Sequence, residues 1–141
     1  MLHNYDGRAV IITGGTKGIG LATALQFAKA GAKCYVTYGW GSADLDVVTA
    51  QFTAQNAVLP EFIQSDVSLD EDIDDLLNHI QQRHAVVDAF ISNVALSLLT
   101  KDLSDYTERG LAKSIEYSTW PLINYTQKIK ATFGQYPRSI L

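Results

Sequence analysis

Arg8-Ala9-Val10-Ile11-Ile12-Thr13 runs straight into Gly14-Gly15-Thr16-Lys17-Gly18-Ile19-Gly20, and the reading of this stretch decides the fold. A short β-branched run stopped by two glycines predicts a buried strand. From Ile19 to Ala30 the residues Leu21, Ala24, Leu25, Phe27 and Ala28 share a broad apolar face, which predicts a helix ended by Gly31. The pattern then repeats. Lys33–Tyr38 reads as a second strand, broken by Gly39-Trp40-Gly41, and Ser42 reads as the cap of a second helix carrying Leu45, Val48 and Phe52.

Pro60 precedes a third strand, Glu61–Ser65, which ends at Asp66. Ser68 and Glu71 have capping-box spacing ahead of a helix bearing Ile73, Leu76, Leu77 and Ile80. Val86–Ser92 reads as a fourth strand. A polar stretch from Lys101 to Gly110 then leads to a long helix at about residues 111–133, with a kink expected at Pro121 and a stop at Gly134. Tyr136–Leu141 opens a fifth strand. Strands alternating with helices at this spacing predict an α/β fold with a parallel sheet. The sequence stops inside the apolar pair Ile140-Leu141, so the sheet is expected to be truncated at the start of its fifth strand. On that reading residues 1–141 are the front part of a longer protein.

Length and composition narrow the functional classes. A chain of 141 residues has room for one domain, and 47% hydrophobic with 18% charged residues suits a globular one. The net charge of −4 argues against nucleic acid or an anionic membrane as partner. No apolar run approaches the roughly 20 residues that span a bilayer. The N-terminus Met1–Asp6 lacks the regions of a signal peptide, and the single cysteine, Cys34, suits a reducing compartment, so a cytoplasmic protein is expected. Acids cluster between Asp66 and Asp75. They read as a helix N-terminus rather than a metal site, and His3, His79 and His84 stand apart, so no metal is expected.

The glycine turn carries the chemistry. A strand passing directly into a helix leaves the first helical N–H groups unpaired at the positive end of the dipole, which is an anion site. Gly14 permits the sharp turn, Gly18 the close approach of a pyrophosphate, and Gly20 close packing of helix on strand. Thr13 is placed to hold the turn by hydrogen bonding. Because the triplet follows a strand and opens a helix, Thr13, Gly14, Thr16, Lys17, Gly18, Ile19 and Gly20 are read as a dinucleotide site.

The spacing Thr13-Gly14-x-x-x-Gly18-Ile19-Gly20 resembles the short-chain dehydrogenase/reductase family, particularly its 3-oxoacyl-carrier-protein-reductase-like members. The resemblance runs along the whole chain and implies a Rossmann-type, doubly wound sheet. Asp66-Val67 matches the family's aspartate that contacts adenine. Ser92-Asn93-Val94-Ala95 occupies the place of its Asn-Asn-Ala-Gly motif, retaining only Asn93, and Val94 and Ala95 are carried with it as cofactor contacts. An acid ending the second strand would bond the ribose 2′-hydroxyl of NAD and repel a 2′-phosphate. That position is Tyr38, followed by Gly39, and the next carboxylate, Asp44, is expected inside the following helix. Lys17 matches the basic residue of NADP-preferring relatives and Ser42 could add a hydroxyl. NADP is therefore favoured over NAD.

The resemblance also implies a tyrosine acid, a lysine four residues later that lowers its pKa, and a serine that orients a carbonyl or alcohol substrate for hydride transfer. Four residues after the seven tyrosines come Ala9, Gly39, Ser42, Gly110, Pro121, Ile129 and Ile140, and none is lysine. Where the family has an asparagine on its long helix, this chain offers Glu116 or Tyr117, and that role is not transferred. Tyr125 and Lys128 read as a surface pair. The chain alone is expected to bind cofactor without turnover, with no catalytic residue of its own. Three alternatives stand beside this reading: a cofactor-binding sensor or interaction module, an enoyl-reductase-like member, and a methyltransferase-like domain. Relatives associate partly through the long helix, so the oligomeric state stays open.

Overall fold

Consecutive residues of the first strand supply two different cores. In the computed structural model, which describes residues 4–41 and 43–141, β1 (Ala9–Thr13) is buried along its whole length. Ile11 faces one layer with Tyr35 and Phe90, while Val10 and Ile12 face the other with Val36 and Ala89. That is the period-two signature of a strand covered on both sides. The strands β2 (Lys33–Tyr38), β3 (Glu61–Gln64), β4 (Ala89–Ile91) and β5 (Ser139–Ile140) complete a five-stranded sheet in the order β3-β2-β1-β4-β5. Every pairing is parallel.

The helices α1 (Gly18–Lys29) and α2 (Leu45–Ala54) cover one face through Ala24, Leu25, Ala28, Val48 and Phe52. On the other face, α3 (Asp70–Gln81) contributes Ile73, Leu76, Leu77 and Ile80, and α5 (Trp120–Phe133) contributes Tyr125 and Ile129. The fold is α/β, Rossmann-like and doubly wound. Strand order reverses beside β1, so a crevice opens between the carboxyl ends of β1 and β4. No helix of the described residues is long and apolar enough to cross a membrane.

Several boundaries moved, each for a local reason. The cap read at Ser42 falls outside the described residues, as does His3. The residue that caps α2 is Asp44, whose Oδ1 accepts the N–H groups of Asp46 and Val47 at 3.0 and 3.3 Å. Asp44 thus stands before the helix, not inside it. The Ser68/Glu71 capping box does not form. Asp66 Oδ1 draws both the Ser68 N–H (2.8 Å) and its hydroxyl (2.7 Å) backward, and Leu69 starts α3 with no side-chain cap. The acids Asp70, Glu71 and Asp72 occupy the first turn of α3, where the helix dipole favours them.

The long helix begins earlier than expected. After a 3₁₀ turn at Leu103–Asp105, α4 (Glu108–Ser114) starts at a Thr107 cap whose Oγ1 accepts the Gly110 N–H at 3.0 Å. The kink expected at Pro121 takes the form of a π segment, Ile115–Thr119, immediately before α5. Pro121 brings no N–H, and its ring crowds the carbonyl four residues back. A wider turn relieves this, and the Trp120 N–H bonds Ile115 O five residues back. Gly134, at φ +78°, closes α5 as expected.

Tyr125 and Lys128 are not a surface pair. Tyr125 is fully buried and stacks on Phe90, ring centroids 4.8 Å apart, and burial pushes its hydroxyl pKa up to about 12. Lys128 reaches Asp74 on α3 at 2.7 Å, beside an Asn124 to Asp70 bond of 2.8 Å that also ties α5 to α3. Truncating Ile129 to alanine should cost about 2–5 kcal/mol by urea unfolding, whereas the half-exposed Ile123→Ala should stay within about 0.5 kcal/mol.

At the opposite end of the sheet from the crevice, His84 Nε2 pairs with the Tyr35 hydroxyl at 2.9 Å. Burial, then the Arg83 charge, lowers the His84 pKa below its ordinary 6.5, with Asp88 opposing. A histidine harder to protonate when folded leaves stability intact above 6.5 and removes it as pH falls from there toward the lowered value. The melting temperature should therefore drop between pH 7.5 and 5.5, and drop less in His84→Gln.

Candidate functional site

The turn from β1 into α1 is built without side chains at its points of contact. Gly14 and Gly18 take φ of +65° and +56°, the left-handed region that glycine enters at no steric cost. A Cβ at Gly18 would meet nothing within 4 Å, so this backbone borders open space, as a surface that receives a phosphate must. Gly20 is the opposite case. A Cβ there would lie 2.4 Å from Gly14 O and 2.6 Å from Asn93 Nδ2, so only glycine lets α1 seat on the strand.

Behind the loop, Thr13 connects β1 to the segment after β4. Its Oγ1 donates to Ile91 O at 3.4 Å and accepts the N–H groups of Asn93 at 3.0 Å and Val94 at 3.4 Å. Asn93 Nδ2 in turn donates to Gly14 O at 2.9 Å. Asn93 therefore holds the glycine loop in shape from the neighbouring strand. The N-terminus of α1, at Lys17 and Gly18, has no side-chain cap, and its first turn has no acid. Its N–H groups stay available to an anion.

A cleft of about 790 Å³ lies over this turn. Gly14, Thr16, Lys17, Gly18, Ile19, Tyr38, Asp66, Val67, Asn93, Val94 and Ala95 all line it, so the fold gathers these eleven residues from four separate loops. Thr13 and Gly20 lie beneath the lining, where they shape the loop rather than face the cleft. Ser42 is outside the described residues. The cleft also contains residues that spacing alone did not single out. Thr37 and Ser65 form part of its floor, Asp44, Val47 and Val48 come from the start of α2, and Trp40, Leu96 and Tyr117 stand at its edge. Gly39-Trp40-Gly41 had one available signal, a tryptophan between glycines just past a strand, where burial is not on offer.

The floor has an unusual polarity. Thr37 Oγ1 and Ser65 Oγ are buried without a hydrogen-bond partner, as is the Tyr125 hydroxyl, which lies near Ser65 outside bonding geometry. Buried hydroxyls are rarely left unpaired. Asp66 is committed locally: its carboxylate serves Ser68, while its N–H donates to Asp72 Oδ2 at 2.7 Å. Asp44 is committed to the α2 cap. An uncapped helix start, a glycine cradle open to solvent and Lys17 beside it together suit a pyrophosphate-bearing dinucleotide.

A glycine-rich crossover at the switch point of a parallel sheet defines a nucleotide-binding α/β domain. Residues 8–135 match the short-chain dehydrogenase family, and the chain belongs to it. It is 34% identical over 125 residues to a sepiapterin reductase from Chlorobaculum tepidum, covering 80% of this chain and 51% of that protein. It is 29% identical over 103 residues to a 3-oxoacyl-[acyl-carrier-protein] reductase from Synechocystis, covering 70% and 41%. The chain thus spans about half the length of these relatives or less. A short-chain dehydrogenase/reductase homolog of Bacillus subtilis, YusS, is 29% identical over 94 residues, which cover 67% of this chain and 85% of that one.

Among solved structures, a 3-oxoacyl-(acyl-carrier-protein) reductase from Agrobacterium tumefaciens with NADP bound superimposes with a TM-score of 0.75 at 22% identity, covering 92% of this chain and 49% of that one. An NADH-dependent reductase complexed with NAD gives 0.80 at 20%, covering 94% and 54%. At these identities the structures establish the fold alone.

Replacing Thr13 by valine keeps its shape and removes its hydroxyl, leaving two N–H groups unpaired. The change should cost about 1–3 kcal/mol in chemical denaturation, and a cost near zero would show that Thr13 does not hold the two loops together.

Proposed function

We propose that this chain is the cofactor-binding part of an NADP(H)-dependent oxidoreductase acting on a carbonyl or alcohol. The observation that carries this reading is the uncapped start of α1 behind a glycine loop open to the cleft, with Lys17 at its edge and no acid at Tyr38. The pyrophosphate would rest on the N–H groups of the first turn of α1, held by Gly14 and Gly18. Lys17 would meet the 2′-phosphate, and Tyr38 ends β2 without a charge to repel it. Asp44 borders the cleft, but its carboxylate already serves two backbone N–H groups of α2. Asp66 and Val67 would flank the adenine, and Asn93, Val94 and Ala95 would line the path beyond the pyrophosphate.

When bound, the nicotinamide supplies or accepts the hydride. What this chain's residues do is hold and orient. No tyrosine is followed four residues later by lysine, and Tyr117, the aromatic hydroxyl nearest the family's long-helix position, has Pro121 there instead. The 141 residues should therefore bind cofactor and not turn over substrate by themselves. The single cysteine, Cys34, is buried, and burial pushes its thiol pKa up to about 12, so it takes no part in the cleft's chemistry. The exposed Leu111 and Ile115 on one side of the long helical region support a homo-oligomer.

Equilibrium titration with NADPH and NADH tests the reading. NADPH should bind more tightly, and Lys17→Ala should weaken it about tenfold while changing NADH less than about twofold. Equal affinity for the two cofactors would overturn the NADP preference, and no binding of either would overturn the site.

A further inference from the structure

Trp40 stands at the edge of the cleft, 80% exposed, and neither the fold nor the glycine loop accounts for it. An indole left in water forgoes the burial that makes tryptophan useful in a core. Its backbone neighbours are equally unconstrained. A Cβ at Gly41 would meet nothing within 4 Å, and one at Gly39 would meet only Ser65 O, at 4.0 Å. The backbone on either side of Trp40 is not closely packed, and the contact its indole makes is with Tyr117.

Tyr117 faces Trp40 from a different element. Its ring is part-buried against the α3/α5 core and is carried on the π segment, so its position is set by the fold. The two ring centroids lie 5.7 Å apart with planes 50° apart, neither stacked nor edge-on. The nearby wall is aliphatic, with Val67 and Leu96 lining the cleft, and the Asp66 carboxylate is engaged by Ser68. This end of the cleft therefore offers two aromatic rings, with Lys113 Nζ 5.9 Å from the Tyr117 centroid, and no uncommitted carboxylate, whereas the glycine loop offers backbone N–H groups beside Lys17. The first suits a flat, uncharged aromatic ring and the second suits phosphate.

We infer that Trp40 and Tyr117 are the two jaws of a clamp that takes the adenine of the bound dinucleotide between them. The inference rests on the dinucleotide reading and deepens it. Tyr117 is the fixed jaw and Trp40 the moving one. A ring in contact on both faces needs about 7 Å between the jaws, two contacts of about 3.5 Å each. The present 5.7 Å is too short, and the glycines on either side of Trp40 give it the freedom to swing out and turn parallel.

The chain has two tryptophans, so Trp120→Phe leaves Trp40 as the sole one. In that background its emission should be quenched by NADP⁺ and by 2′,5′-ADP, and not by nicotinamide mononucleotide. Trp40→Ala should raise the calorimetric Kd for NADP⁺ and 2′,5′-ADP about tenfold, and Trp40→Phe should recover most of the loss. The unfolding midpoint should stay unchanged, because the side chain is exposed. Unaltered 2′,5′-ADP affinity in Trp40→Ala, or quenching by the mononucleotide alone, would overturn the clamp and leave the dinucleotide site standing. Failure of the unsubstituted chain to bind any dinucleotide would overturn both.

Discussion

The hydroxyl of Thr13 is the point on which the site depends. It sits at the end of β1, where the sheet changes direction, and bonds three backbone groups that belong to the neighbouring strand and its following loop. Without such a link, two loops leaving adjacent strands could drift apart, because loops carry little packing of their own. Asn93 returns the connection to Gly14 O. The glycine loop is thus shaped from outside itself, and its lack of side chains becomes useful only because its neighbours define where it stands. Gly20 completes the arrangement by letting α1 approach within what would be contact distance of the Gly14 carbonyl.

This dependence explains which parts of the site could be read from the amino acids alone. Strand-then-glycine-then-helix is a local pattern, so Gly14, Gly18 and Gly20 announced their roles through spacing. The β-branched runs, buried on both faces, gave the parallel sheet. Asp66 and Asn93 were legible only through resemblance, since nothing in their immediate surroundings distinguishes a cofactor contact from a turn residue. Asn93 illustrates the limit: its bond to Gly14 O joins residues 79 positions apart. Thr37 and Ser65 were illegible for the same reason, because only the folded chain brings them to one cleft, and Tyr117, noted only for its place near the family's long-helix asparagine, joins them there.

Where local reasoning failed, it failed by competition between equally good local partners. Ser68 and Glu71 have the spacing of a capping box, but Asp66 stands two residues before Ser68 and takes its hydroxyl first. Asp44 caps α2, which leaves the cleft edge with a carboxylate already satisfied. Tyr125 and Lys128 have a spacing that invites a functional pairing, and the α3/α5 packing sends one inward and the other to Asp74. Helix spacing places residues on a common side. It does not choose which of them the neighbouring helix will cover.

The π segment ahead of Pro121 has a geometric consequence of its own. One residue added to a turn advances everything before it by about 100° relative to an unbroken α-helix. The stretch from Glu108 to Phe133 is therefore two helices out of phase, not one bent rod. The inward stripe of α5, through Tyr125 and Ile129, cannot be extended back into α4 by counting in sevens. Tyr117 owes its bearing to that offset. Chain length at this point is as much a determinant of what the cleft meets as any side chain, and losing one residue there would re-aim the helix without altering a single functional group.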